Sequence, residues 1–151
     1  MAQDEQLPAA GPVPVPPMPR PDEKANLDDD VDLLRRLAHL HALYGRFEQS
    51  LRLLQVSDFL RQDDPETLRR MAECYLRMGQ PETTFEILLK IKELGSDLMT
   101  VRDYRLIGEA CARANNHERA RKIFALLRDH SDDPDLPLPE TLSEHTTDLM
   151  Q

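Results

Sequence analysis

The sequence predicts an all-α fold in which three helical hairpins stack side by side. Three observations predict it: residues that end helices recur after 34 and then 36 positions, an apolar stripe of helical period precedes each of them, and small residues occupy matched positions in every copy. The helix-ending residues are Gly45, Gly79 and Asn115. Glycine and asparagine readily adopt the left-handed conformation found at helix C-termini, so each one predicts a turn between two helices.

The first helix of each hairpin is predicted from the residues eleven, eight, seven and four positions before the turn. These positions have the i, i+3, i+4, i+7 spacing of one helix face. They hold Leu34, Leu37, Ala38 and His41 in the first copy, Leu68, Met71, Ala72 and Tyr75 in the second, and Tyr104, Ile107, Gly108 and Cys111 in the third. The third member is small each time, as expected where two helices approach closely.

The second helix of each hairpin follows the turn and repeats its own pattern. A small column holds Ser50, Thr84 and Ala120, and an apolar column holds Leu54, Leu88 and Phe124. The segments "RQDDP" at 61–65 and "SDDP" at 131–134 close two of the copies. The predicted repeats are therefore 31–64, 65–98 and 101–134, within a helical domain of residues 30–134.

Both ends of the chain differ in composition from this domain. Seven of the 12 prolines fall in residues 8–21, and proline neither donates an amide hydrogen bond nor allows a free φ. We therefore expect residues 1–29 to form a disordered, acidic, proline-rich tail with polyproline-like stretches. We expect residues 135–151 to form a second acidic tail. A short capping helix over residues 139–150 is an alternative for this segment.

Charge and composition exclude several classes of function. The formal net charge is −9, which argues against general nucleic-acid binding, because that depends on neutralising phosphates. No apolar run approaches the roughly 20 residues that a membrane helix needs, and the N-terminus lacks the order of a secretory signal. Two cysteines are too few for a disulfide framework or a zinc cage. We expect a cytoplasmic protein with no membrane insertion.

The sequence contains no recognisable catalytic or cofactor-binding motif. It has no Gly-rich phosphate loop, no H-E-x-x-H metal motif and no Ser or Cys in a nucleophile setting. His39 and His41 are about 200° apart around a helix, so they cannot bind one metal together. Cys74 and Cys111 are interpreted as small core residues. We predict no enzyme, no cofactor and no metal site.

The glycine spacing and the small columns resemble the tetratricopeptide repeat, a 34-residue helix–turn–helix unit. The resemblance covers residues 31–134 and implies an α-solenoid of three repeats. It departs from the family where Ser50 and Thr84 replace alanine, and where Ile91 and Leu127 fill a site that is usually small. Without a capping helix, the last repeat would expose apolar residues such as Phe124 and Leu127. An exposed apolar patch of this kind commonly marks a partner surface.

The resemblance implies that the first helices line a groove that binds a partner. Arginine stands ten residues before every turn, and the flank of the helix that carries it alternates charged with small or apolar positions. The predicted groove residues are Arg35, His39, Ala42, Leu43, Arg69, Glu73, Leu76, Arg77, Arg105, Glu109, Ala112 and Arg113. Two interpretations remain: a merely solvated charged face, or an extended peptide held by arginine side chains.

Family members that clamp a C-terminal dicarboxylate need neutral or basic groups where this chain has Glu73 and Glu109, which disfavours that role. In size, repeat number and acidic ends the chain resembles the tetratricopeptide chaperones of bacterial type III secretion. The resemblance implies a protein partner, either a secretion substrate or a component of the export apparatus. The alternative is a structural assembly adaptor, or a homodimer or heterodimer formed through the apolar end of repeat three. A regulatory subunit remains a third class.

Overall fold

The computed structural model describes the backbone of residues 21–128 and the side chains of residues 26–128. Over this range the chain is all-helical, as predicted. The α-helices are α1 (Pro21–Leu43), α2 (Phe47–Leu60), α3 (Pro65–Arg77), α4 (Pro81–Leu94), α5 (Val101–Arg113) and α6 (His117–Leu127), and a short 3-10 helix spans Ser96–Leu98.

The helices pack in adjacent pairs along the chain. Three hairpins are formed by α1 with α2, α3 with α4, and α5 with α6. Neighbouring hairpins contact each other through α2 with α3 and through α4 with α5, and α3 also contacts α5. This order places the first helices of the second and third hairpins next to each other.

The three hairpin turns have the same hydrogen-bonded geometry. Gly45, Gly79 and Asn115 have φ values of 71°, 77° and 60°, which confirms the left-handed turn at each predicted position. In every turn, the amide of the next residue donates to the carbonyl five positions back, with N–O distances of 2.9, 2.9 and 2.8 Å. This is the Schellman arrangement, which satisfies carbonyl groups that a helix end would otherwise leave unpaired.

Side chains cap the starts of several helices. Asp64 accepts a hydrogen bond from the Thr67 amide at 2.8 Å, and Pro65 occupies the first helical position of α3. At the start of α5, the Thr100 amide donates to the Asp103 carboxylate at 2.9 Å, which is half of a capping box. These aspartates accept hydrogen bonds from backbone amides that have no partner within the helix. They therefore favour the start of a helix at these positions.

Two clusters of buried apolar residues form the core. The smaller is built on Ala38, Leu51, Leu54 and Cys74 of the first three helices, and the larger extends from α3 to α6. The predicted small columns are buried: Ala38, Ala72 and Gly108 on the first helices, and Ser50, Thr84 and Ala120 on the second. They allow the two helices of each hairpin to approach closely.

The first helix begins earlier than the sequence analysis expected. Helix α1 starts at Pro21, so residues 21–29 are helical and the predicted boundary between tail and domain is wrong. As sequence preferences, proline is common at the first position of a helix and acidic residues are common in its first turn. The predictions for residues 1–20, for the end of the third repeat at 129–134 and for the acidic tail at 135–151 lie outside the described residues.

Candidate functional site

A pocket of about 310 Å³ opens between α1 and α3, and α2 and the first turn of α5 complete its wall. The residues that line it are Ala38, His39, Ala42, Leu43, Phe47, Ser50, Leu54, Arg70, Glu73, Cys74, Arg77 and Arg102. Because four helices contribute, the pocket forms only when the first two hairpins and the start of the third have packed together.

One part of the pocket wall is apolar. Ala38, Phe47, Leu54 and Cys74 come from three helices and belong to, or pack against, the same buried cluster. The Cys74 thiol donates to the Ser50 hydroxyl at 3.4 Å. Burial raises the pKa of this thiol, although the hydrogen bond with Ser50 opposes that effect. Ala38, Leu54 and Cys74 are almost fully buried, so they form an uncharged floor. The apolar surface that a ligand could reach comes mainly from Ala42, Leu43 and Phe47.

Three arginines stand at the edge of the pocket. Arg102 Nη2 lies 2.9 Å from Glu73 Oε2 and so connects α5 with α3, and Arg70 Nε donates to Glu66 Oε1 at 2.8 Å. Arg77 is exposed, and within residues 26–128 no carboxylate lies at ion-pair distance from it. Arg77 is thus the arginine at this edge that is most open to a carboxylate from outside.

A second depression, of about 330 Å³, lies between α1 and α3. It is lined by charged residues and one histidine: Asp32, Arg35, Arg36, His39, Glu66 and Arg70. His39 and Arg70 line both hollows. The two hollows are therefore neighbours that share part of their lining, and only the first also has apolar lining residues.

The structure brings together five of the twelve predicted groove residues in the first pocket. They are His39, Ala42, Leu43, Glu73 and Arg77. Arg35 lies in the charged depression, where its guanidinium hydrogen-bonds to Asp32 and, at 2.9 Å, to Asp64. Burial lowers the pKa of Arg35, but the hydrogen bond with Asp32 and the nearby carboxylates outweigh it and leave the pKa raised.

Two predicted groove residues are not at the surface. Arg69 was expected to face the groove, but it is buried, with its guanidinium on the carboxylate of Asp103. Leu76 is fully buried in the larger core cluster. Both corrections have one reason: α5 packs against α3 and covers the flank of α3 that the sequence pattern left open.

The predicted residues of the third repeat do not line either hollow described above. Arg105 is exposed on α5, while Glu109 and Ala112 are partly buried. Arg113 donates a hydrogen bond to the backbone carbonyl of Leu76, so it joins α5 to the end of α3. Partner binding by the predicted residues stays a prediction, and the first two hairpins offer the better-formed surface.

Sequence reasoning did not place seven of the lining residues in the groove. It assigned Ala38, Ser50, Leu54 and Cys74 to helix packing, and it missed Arg70, Arg102 and Phe47. A signal for Arg70 was present: arginine occurs nine residues before the turn in two copies, as Arg36 and Arg70, and only Leu106 interrupts that column. Arg102 gave no such signal, because its matched positions in the other copies are acidic. Its place depends on how α5 packs against α3.

The last repeat exposes less apolar surface than the sequence analysis expected for Phe124 and Leu127. Leu127 is buried, and the half-exposed Phe124 places its ring against Gly108. The alternative of an adaptor or dimer surface at this end stays a prediction, with Phe124 as its main exposed contact.

The described part of the chain shows where its cysteines lie, how its metal-ligating side chains are arranged and how long its helices are. Cys74 and Cys111 are free and buried, as expected for core residues. Among the described residues, no group of three or more His, Cys, Asp or Glu side chains is arranged to hold a metal ion. None of the helices there combines the length and the apolar character needed to cross a membrane.

Comparisons with known proteins return no family model that matches this chain, and no curated protein matches it either.

Proposed function

We propose that this protein is a non-enzymatic, cytoplasmic protein-binding module that holds a peptide or helix of a partner protein between α1 and α3. One observation carries the proposal: an apolar pocket wall edged by Arg70, Arg77 and Arg102, with Arg77 open to an incoming group. Protein pockets that bind ligands commonly combine an apolar wall with a few polar groups that fix orientation.

Three features support an architecture of the tetratricopeptide type. The helices pack as successive hairpins, the three turns share one hydrogen-bonding pattern, and small residues separate the paired helices. In proteins of this type, the first helices of successive repeats form the binding surface, and the pocket lies between two such helices here. The leading role remains that of a bacterial type III secretion chaperone, which keeps an export substrate or apparatus component soluble.

The chemistry of the pocket indicates what a partner segment should contain. An apolar side chain fits against the accessible lining residues Ala42, Leu43 and Phe47, where it would leave water. A carboxylate one or two residues away would reach Arg77, and arginine binds carboxylates with paired hydrogen bonds. We therefore propose a segment in which a leucine or phenylalanine is flanked by aspartate or glutamate.

A peptide array tests this ligand chemistry directly. The array holds peptides with one leucine or phenylalanine flanked either by glutamates or by lysines, in matched pairs of equal length, and labelled full-length protein is the probe. We expect binding to the acidic member of each pair and at least tenfold weaker binding to the basic member. Equal binding to both members, or binding to neither, contradicts the proposal.

Variants of the protein then assign the binding to the pocket. Arg77→Glu removes the open guanidinium, and Ala42→Trp fills the hollow, while neither residue is fully buried. Arg52→Glu is the matched control, because Arg52 is exposed on α2 and does not line the pocket. Fluorescence anisotropy with the best acidic peptide should show loss of binding in the first two variants only. Unchanged affinity in both pocket variants would place the binding surface elsewhere.

A further inference from the structure

The chain after α6 contains a segment with the chemistry proposed above for a partner. Residues 129–151 carry seven acidic residues and no lysine or arginine. Among the leucines of this stretch, Leu142 alone has an acidic residue within two positions on each side, namely Glu140 and Glu144. A leucine flanked by glutamates is what the pocket between α1 and α3 is proposed to hold, so this inference rests on the proposed function and names a competitor for the same site.

The charge at the edge of the pocket is opposite to the charge of this segment. The charged side chains that line the pocket, three positive and one negative, are those of Arg70, Arg77, Arg102 and Glu73. Within residues 26–128, Arg77 has no carboxylate at ion-pair distance. A carboxylate from the segment would therefore supply the counter-charge that the described residues do not give to Arg77.

The end of α6 lies near the edge of the pocket. Arg102 and Arg128 are each 13 residues from Asn115, one before the third turn and one after it. Because α5 and α6 form an antiparallel hairpin, these two residues lie at the same end of it, on helices whose axes are about 8–10 Å apart. Arg102 lines the pocket. The chain beyond α6 therefore begins one helix away from a residue of the pocket wall.

The length of the connection allows Leu142 to reach the pocket. From the end of α6, the gap between α1 and α3 is roughly two to three helix spacings away, which is about 20–30 Å. The 14 residues from Arg128 to Leu142 span up to about 46 Å when extended and have a root-mean-square length of about 20 Å when flexible. Leu136, eight residues from Arg128, would need an almost fully extended connection. Leu142 is thus within reach without stretching the chain.

We propose that residues 140–144 occupy the pocket of their own chain when no partner is bound, and that a partner segment must displace them. Leu142 then lies against the apolar lining that includes Leu43 and Phe47, and Glu140 or Glu144 binds Arg77. Tethering gives such a segment an effective concentration in the millimolar range, so even weak intrinsic binding keeps the pocket filled. The segment therefore restricts the pocket to partners that bind more tightly than residues 140–144 do.

Competition in the full-length chain tests this inference. Fluorescence anisotropy measures the affinity for the best acidic peptide from the array. Leu142→Ser should tighten this binding about tenfold, the release expected when a tether of about 1 mM acts on a segment with a Kd of about 100 µM. Glu140→Lys combined with Glu144→Lys should have the same effect. The matched control combines Asp132→Lys with Asp133→Lys, which changes the net charge equally at a place with no leucine within two positions. It should tighten binding much less.

The outcomes separate this inference from the proposed function. If acidic peptides bind the wild-type and Leu142→Ser chains equally well, the pocket function stands and the competing segment is overturned. Equal tightening by the aspartate control and by the glutamate variant would reduce the effect to general charge and overturn it as well. If no peptide of the array binds the Leu142→Ser chain, the proposed function fails and this inference fails with it.

A second measurement identifies where the segment binds. A labelled synthetic peptide of residues 138–148 should bind the Leu142→Ser chain with a Kd on the order of 100 µM, and the wild-type chain more weakly because its pocket is filled. Adding Arg77→Glu to Leu142→Ser should abolish this binding, whereas adding the exposed Arg52→Glu should not. Binding that survives Arg77→Glu overturns the proposal. Analytical ultracentrifugation shows whether the segment reaches a second copy: wild-type self-association that Leu142→Ser removes would overturn binding within one chain.

Discussion

Arg69 of α3 binds the fully buried carboxylate of Asp103 of α5 with two hydrogen bonds, Nε to Oδ1 at 2.6 Å and Nη2 to Oδ2 at 2.9 Å. The same guanidinium also reaches Glu66 at 3.0 Å and the Leu98 carbonyl at 3.2 Å. Asp103 in turn accepts from the Thr100 amide. Burial lowers the pKa of Arg69, but the hydrogen bonds and negative charges of Asp103 and Glu66 together outweigh it, so the pKa is raised. The pair joins α3, the connection after α4 and the start of α5.

Arg69→Met should strongly destabilise the fold, because it leaves the Asp103 carboxylate buried without its cationic partner. We expect a loss of about 3–5 kcal/mol in the free energy of unfolding, measured by urea denaturation. Arg70→Met is the matched control: its ion pair with Glu66 is more exposed, so the loss should stay below about 1 kcal/mol. The double change of Arg69→Met with Asp103→Asn should recover part of the loss, because the neutral amide oxygen can still accept from the Thr100 amide. Equal losses for Arg69→Met and Arg70→Met would show that burial of the pair is unimportant.

Gly79→Ala should destabilise the second hairpin through backbone conformation alone. Gly79 has φ of 77°, and an added Cβ would have open space around it. The left-handed conformation costs a residue with a Cβ about 1–2 kcal/mol, so thermal unfolding should occur several degrees lower. Gln80→Ala, at the next position, should change stability little, since the Gln80 side chain caps nothing. A Gly79→Ala protein as stable as the wild type would contradict this reading of the turn.

Gly108 and Phe124 should show strong coupling in a double-mutant cycle. A Cβ at position 108 would lie 2.9 Å from Cζ of Phe124, so the half-exposed ring would have to leave its place against α5. In the wild type, the helix-propensity gain of about 1 kcal/mol from Gly108→Ala should be offset by this clash. In the Phe124→Ala background, the same change should stabilise by about that full amount. Equal effects in both backgrounds would mean that the ring does not restrict the position.

The Cys74 thiol should make stability fall in alkaline solution. Its pKa is raised in the folded protein from an ordinary value of 9.0, chiefly by burial. Between the unfolded and the folded pKa, the unfolded chain loses the thiol proton and the folded chain keeps it. Rising pH therefore favours unfolding there, by up to about 1.4 kcal/mol per pH unit. The alkaline decline should be shallower in Cys74→Ala, measured as the difference between urea titrations of the two proteins. The Cys74 thiol should also react slowly with iodoacetamide until the protein is unfolded.

The helical hairpins were predictable from the sequence because their signals are local. Gly45, Gly79 and Asn115 have the required positive φ, and the stripe residues Leu68 and Ala72 are buried as their period indicates. The start of α1 was less predictable. The prolines before residue 21 and the acidic residues after it suggested a tail, although the same residues are favourable at a helix start.

The candidate site was predictable only in part, because a helical period gives the direction of a side chain and not the identity of its neighbour. Arg35, Arg69 and Arg105 occupy the same position in the three hairpins, yet one is partly buried, one is buried and one is exposed. Arg69 is buried because packing brings Asp103, 34 residues later in the chain, to 2.6 Å from it. The sequence alone thus determined where the helices turn and which side of each is apolar, since these depend on backbone conformation and on spacing within one helix. Only the tertiary structure decided which charged residues are neutralised and which remain open to a partner, since a charge is buried only where a distant part of the chain supplies its counter-charge.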